Sequence, residues 1–367
     1  MGHWAWGKLL LTTQDLALST PTKRMAKATT TLPRGIKKPQ MSPLVGLVLG
    51  LIVLLICSVY SVTLGAAEIP LGTILASFVT FDGSYDHLVI QTVRLPRSLI
   101  AILVGAALAV AGALMQGLTR NPLADPGILG IESGAALAVV ATIFIFGSSS
   151  LSVLTVVALL GAGATAMLVY CLGSLGRGGA TPLNLTVAGA ALTALISSLT
   201  TAILIVSQRT LDEIRFWLAG SLAGRDANIL LQVLPFVAIG LVVAFALGRQ
   251  ITTMSLGEDV AKGLGQQTAW IKIITAISVV LLAGSSVALA GPIGFIGLVV
   301  PHIVKFFIKA DYRWILPYSA IVGAILVLIA DIAARLLLKP QELPVGVMTA
   351  LVGAPFFVYL AKSKVKK

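Results

Sequence analysis

Long apolar runs separated by short polar breaks dominate the chain, and their lengths predict helices that cross a bilayer. A crossing helix needs about 20 mostly apolar residues. The runs 44–64 and 98–118 meet this requirement. From Ser133 to Gly176 there is no charged residue, a stretch too long for one crossing. Gly147-Ser148-Ser149-Ser150 divides it into spans at 127–147 and 151–173. Further spans follow at 182–206, 228–248, 268–289, 293–307, 314–338 and 344–361, with Gly291-Pro292 setting off the short eighth. The pattern predicts an all-α integral membrane protein of about ten transmembrane helices. They occupy residues 44–361, between a basic tail at 1–43 and a second basic tail at 362–367.

One polar island stands out between the sixth and seventh spans. Ser255-Leu256-Gly257-Glu258-Asp259-Val260-Ala261-Lys262-Gly263-Leu264-Gly265 carries three charges in eleven residues. Ser255 and Glu258 have capping-box spacing. Glu258 and Asp259 suit the positive end of a helix dipole, and Lys262 follows Glu258 at i, i+4. Gly265 is placed to end the helix in a left-handed turn. Leu256, Val260 and Leu264 share one face. The expectation is one short, capped amphipathic helix, too short to be stable alone. It is either a tidy loop or a knob that fits a soluble partner.

Composition agrees with the bilayer as solvent. The chain is 57% hydrophobic and 11% charged, against roughly a quarter charged in soluble domains. The net charge of +12 needs no nucleic acid, because basic residues collect on the cytoplasmic side of membrane proteins. The first tail carries Lys8, Lys23, Arg24, Lys27, Arg34, Lys37 and Lys38 against Asp15, and the second adds Lys362, Lys364, Lys366 and Lys367. Both tails are expected in the cytoplasm, which requires an even number of crossings. Arg94, Arg97, Arg209, Arg215, Arg225, Arg335 and Lys339 then lie outside, leaving 19 of the 26 basic residues inside. Residues 1–43 offer no apolar stretch suited to a signal peptide. Cys57 and Cys171 sit in apolar runs, and His3, His87 and His302 form no ligand cluster. No phosphate-loop or nucleophile-elbow motif occurs, so any motor is expected on another chain.

Four stretches together resemble the FecCD-type permeases, the membrane subunits of ABC importers for iron–siderophores, haem and cobalamin. They are "RLPRSLIAILVGAALAVAGALMQGLTRNPLADPGILGIESGA" at 94–135, "LGEDVAKGLG" at 256–265, "ALAGPIGFIGLVVPHIVK" at 288–305 and "ELPVGVMTALVGAPFFVYLAK" at 342–362. The resemblance runs from about residue 44 to the end and implies a type II ABC importer permease fold. It implies a transporter that makes and breaks no bonds and holds no cofactor, ATP being used by a partner subunit. The implied partners are a second permease, identical or homologous, two ABC ATPases, an extracytoplasmic substrate-binding protein and membrane lipid. The implied location is the bacterial plasma membrane.

The resemblance also suggests roles for residues. The island takes the place of the coupling helix that sits in a cleft of each ATPase. Leu256, Val260 and Leu264 are then its anchors, Glu258 and Asp259 its rim, and Gly257 and Gly265 its ends. Arg94, Arg97 and Arg335 match arginines that receive acidic residues of the binding protein, and guanidinium suits carboxylates bidentately. Asp331, one turn before Arg335, is expected to orient it. "LDEIRFWLAGSLAG" is expected as a short helix at the mouth of the pathway. Thr181, Asn184 and Thr186, around the loop 178–184, are candidate residues of a cytoplasmic gate. Glu132 reads as a wet acid near a span end; His302 lacks the polar neighbours of a proton relay, and Pro301, Gly294 and Gly297 are expected to bend the helix and allow close packing. Iron–siderophore is the expected cargo, with haem or cobalamin as alternatives. An ion-coupled secondary transporter, from a different class, would need paired intramembrane acids.

Overall fold

The computed structural model describes residues 42–65, 69–175, 181–308, 311–338 and 341–365, with the side chains of 359–361 and 363–365 excepted. The tail 1–41, Lys339, Lys366 and Lys367 lie outside the described residues. The compact unit runs from Ser42 to Lys367. Its helices are α1 (Pro43–Thr63), α2 (Leu71–Val79), α3 (Tyr85–Val89), α4 (Leu95–Thr119), α5 (Ile131–Phe146), α6 (Leu151–Ser174), α7 (Pro182–Val206), α8 (Gln208–Leu218), α9 (Ala227–Ala246), α10 (Gly248–Ser255), α11 (Glu258–Gly263), α12 (Thr268–Ala290), α13 (Ile296–Phe307), α14 (Tyr312–Leu336) and α15 (Val345–Val365). Among the described residues there is no strand.

Each of the ten apolar runs is helical, but length separates them. Seven helices are long and apolar enough to cross a bilayer, while Ile131–Phe146, Ile296–Phe307 and Val345–Val358 are shorter apolar helices. At 1.5 Å per residue α5 reaches only about 24 Å, less than the ~30 Å hydrocarbon core. The second span starts earlier than its hydropathy indicates. A π-helical turn, Ile90–Arg94, joins α3 to α4 into one continuous rod. Pro96 supplies no N–H and would crowd the carbonyl four residues back, and the wider turn just ahead of it relieves that conflict. As a result Arg94 and Arg97 sit within a helical rod rather than beside one. The polar break after Phe146 forms as expected: Gly147 takes a positive φ of 78° and Ser150 caps α6 by accepting from Val153 N.

α4 is the axis of the bundle. Most of its side chains are buried, and α14, α12 and α13 pack around it. Two contacts are possible only with glycine. A Cβ at Gly105 would strike the backbone of Gly323 on α14, and one at Gly112 would strike the backbone of Gly297 on α13. Small residues bring helix backbones together where lipid supplies no hydrophobic drive. The outer helices are different: the hydropathic windows of α1 and α7 are only 11% and 17% buried, leaving apolar faces toward lipid or other chains.

The helix directions separate two ends of the bundle. α10 meets the start of α14, where Thr252 Oγ1 accepts from Tyr312 N at 2.9 Å. α1 begins at that same end, since the Tyr318 hydroxyl donates to Pro43 O at 2.6 Å. α15 begins at the other end, where Gly346 N donates to Gly220 O at 2.9 Å.

Replacing Gly112 by Val should cost about 1–3 kcal/mol or more through overpacking. Thermal melting of the purified protein in lipid nanodiscs should fall by several degrees, whereas Gly72→Val, at an open position, should not shift it. An unchanged melting temperature for Gly112→Val would show that α4 and α13 can separate freely.

Candidate functional site

The island at 255–265 folds differently from its sequence pattern. It is not one helix capped by Ser255. Ser255 closes α10, and its hydroxyl donates to Thr252 O at 2.6 Å. Gly257 is the residue ahead of α11, with φ 133°, a conformation open to glycine. The capping box therefore does not form. The end of α11 is as expected: Gly265 has φ 80°, its N–H bonds Lys262 O at 2.9 Å, and Gln266 N bonds Ala261 O at 3.0 Å. These two bonds make a Schellman motif.

Glu258 turns inward rather than to the rim. Its carboxylate accepts from Lys272 of α12 at 2.8 Å and lies 3.2 Å from Lys262, with Thr268 donating at 3.3 Å. The Lys272 hydrogen bond, aided by Lys262, holds the Glu258 carboxyl down at about 2, against a smaller opposing effect of burial. This clamp fixes α11 to the start of α12, and Ala261 is fully buried beneath it. Leu256, Val260 and Leu264 remain 67%, 47% and 68% exposed. An apolar face is thus held outward on a rigid mount.

At the opposite end of α14 lies a charge network. Arg97 donates from Nε and Nη2 to Asp331 at 3.0 and 2.8 Å, and from Nη1 to Glu342 at 2.7 Å. Arg335 Nη2 meets the second oxygen of Asp331 at 3.0 Å. Its Nη1 donates to the Ser61 and Leu64 carbonyls at 3.0 and 2.8 Å. Arg94 donates to the carbonyls of Val62 and Thr63, both at 2.8 Å. Two guanidiniums therefore cap the last turn of α1, the negative end of its dipole. All three arginines are buried, Asp331 is fully buried, and only Glu342 is partly open. Asp331 orients Arg335 as expected, but it orients Arg97 more closely, through Nε and Nη2 converging on one carboxylate oxygen.

The other candidates are scattered. Thr181 caps α7 by accepting from Asn184 N at 3.2 Å, and the Thr186 hydroxyl donates to Pro182 O at 2.8 Å. Both hydroxyls thus serve the helix. Glu132, in the first turn of α5, lines a small cavity with Asp125 and Gly297. His302 packs edge-on against Phe306 and Phe356. Among the described residues no group of three metal-ligating side chains occurs. The Glu258–Lys272 clamp and the Arg97–Glu342 pair were missed in the sequence. The first has a faint signal, since Lys272 is a charge one turn into a span.

Because Glu258 is depressed, the clamp's contribution is present above the ordinary carboxylate range, near 4.3, and fades as pH falls toward about 2. It should be intact at pH 5. Lys272→Met should release it, raising amide hydrogen exchange across 258–265 several-fold at pH 7. Unchanged exchange would mean that other packing holds α11.

Comparison with known proteins places this geometry. The model of the FecCD transport family matches residues 53–363. The probable siderophore transport system permease protein YfiZ of Bacillus subtilis is 52% identical over 79% of this chain and 87% of its own length. The iron(3+)-hydroxamate import system permease protein FhuB of the same organism is 45% identical, over 86% of this chain and 82% of its own. The ferric enterobactin transport system permease protein FepD of Escherichia coli is 40% identical, over 86% and 94%. A solved chain described as an inward-facing conformation of a metal-chelate type ABC transporter superposes with a TM-score of 0.77 at 32% identity, covering 86% of this chain and 98% of that one. This multi-pass membrane chain belongs to the FecCD transport family.

Proposed function

We propose that the chain is the permease subunit of a binding-protein-dependent ABC importer, that it crosses the membrane ten times, and that its cargo is an iron(III)–siderophore. The carrying observation is the exposed apolar face of α11 on its clamped mount, which suits a cleft in a partner ATPase. A push applied there reaches α12 through the Glu258–Lys272 pair, and α14 through α10. The cargo follows the relatives, whose names specify siderophore, ferric hydroxamate and ferric enterobactin.

Orientation and span count are supported by charge and parity. α1 starts at the end where α10 meets α14, and α15 starts at the opposite end, an arrangement that supports both termini lying on one side. Basic tails favour the cytoplasm, and two termini on one side require an even count. The three shorter apolar helices join the seven long ones to make ten, their length made up by protein around them. A second permease is proposed against the uncovered faces of the outer helices, with the chelate passing between the two copies. Thr181, Asn184 and Thr186 stand at the cytoplasmic end of α7 in this arrangement, at the proposed gate.

Docking of the binding protein is proposed at the arginine end. Three guanidiniums against Asp331 and Glu342 leave that end net positive, and such a field steers acidic lobes toward it. Arg97 is the most accessible contact, because its Glu342 partner is the open one. An incoming carboxylate would exchange with Glu342.

Two experiments test the reading. Leu256→Asp or Leu264→Asp places a carboxylate in a dry contact at a cost of several kcal/mol. Each should abolish co-purification of the ATPase, while Lys262→Ala should retain it; full retention by both leucine variants would reduce α11 to a connector. Glu342→Gln should strengthen binding of the substrate-loaded binding protein at low salt by a few-fold. Weakened or unchanged binding would remove Arg97 from the docking surface.

A further inference from the structure

Arg225 is the exception among the buried arginines. It lies in the loop between α8 and α9 and is only 9% exposed, yet its Nε has no hydrogen-bond partner. Among the described residues its guanidinium makes no hydrogen bond or ion pair. Asp226, the next residue along the chain, is committed to capping α9, accepting from Ile229 N at 3.0 Å. Burying an unpaired charge is costly, and Arg94, Arg97 and Arg335 each have two or more acceptors.

The side chain lines a cavity of about 520 Å³ at the arginine end of the bundle, between α5, α6, α8 and the loop before α15. Leu151, Phe216, Trp217 and Leu343 form apolar walls. Two carboxylates also line it, but each is neutralised elsewhere: Glu213 by Arg209 at 3.3 Å and Glu342 by Arg97 at 2.7 Å. The charge left for an occupant is positive. The loop that presents Arg225 is fixed in place. Ser221 N donates to Ala290 O at 2.8 Å, Gly220 O accepts from Gly346 N at 2.9 Å, and Leu222 is 1% exposed. A site on a fixed loop binds without first ordering itself.

We infer that this cavity binds a small amphipathic carboxylate, its anionic group on Arg225 and its apolar body against Phe216 and Trp217. Carboxylate matches the guanidinium fork with two parallel hydrogen bonds. The volume falls in the range of small-molecule pockets, about 300–1,000 Å³, and a single acidic side chain from a docking protein would leave most of it empty. The site is independent of the transport reading, because its test measures binding rather than uptake.

The test uses the full-length chain, purified from membranes with its accompanying subunits into nanodiscs of neutral lipid. Equilibrium dialysis compares 4-phenylbutyrate with its uncharged amide. The anion should bind about tenfold or more tightly than the amide, as expected for a hydrogen-bonded charge. Arg225→Gln should bring the two together, and Arg225→Lys should keep part of the preference. Arg225→Met should melt no lower than the parent, because it removes an unpartnered buried charge. Equal binding of anion and amide by the parent, no binding of either, or a preference that survives Arg225→Gln would overturn the site. So would a lower melting temperature for Arg225→Met, which would assign the arginine to holding the fold.

Discussion

α4 meets its neighbours backbone to backbone: α14 at Gly105 and Gly323, and α13 at Gly112 and Gly297. In lipid, two helices gain nothing by hiding leucines from each other, so contact must come from fit. Those glycines let α4 lie at the centre with neighbours on several sides. The arginine network and the mount of α11 both hang from its ends. Arg94 and Arg97 stand at its start, where the charge network ties α1, α14 and the loop before α15 together. Its far end, at Gly117, lies beside Ile251 of α10 and Tyr312 of α14, so the mount of α11 and the arginine network share one rod.

The two ends solve opposite problems. At the α11 end, charges are used locally to hold a short helix that could not persist alone, and the leucines are left uncovered. In the network of Arg94, Arg97 and Arg335, charges are drawn inside and satisfied, leaving little of those guanidiniums exposed. A family of importers needs both a mechanical handle and a recognition surface. In the arrangement proposed above, the handle is apolar and fixed, while the proposed docking surface carries a net charge whose members are mostly enclosed.

Much of this was legible in the chain, for identifiable reasons. Hydropathy located all ten helical runs because apolar length is a local property, and Gly147 to Ser150 marked a break that needed only turn chemistry. The left-handed end at Gly265 was legible for the same reason. The capping box failed because Ser255 had a nearer acceptor, the Thr252 carbonyl in its own helix, and Gly257 offered a sharper bend. α2 escaped notice because nine residues make too short a run for a span. The burial of Arg97 was illegible because its partner Asp331 is 234 residues away, and pattern along the chain says nothing about such pairs. Arg225 was hidden for a different reason: the absence of a partner leaves no mark along the chain.

α1 carries a further consequence, one of timing. Its sides are largely uncovered, and its last carbonyls are held by Arg94 and Arg335, the latter 274 residues downstream of Ser61. At roughly 5–20 residues per second, synthesis leaves about 15–55 seconds between the emergence of the helix and the arrival of its second clasp. During that interval Arg94 can serve some of those carbonyls, and water and headgroups must serve the others. A helix made early is therefore fastened late, by a residue that follows it only after most of the bundle has been synthesised.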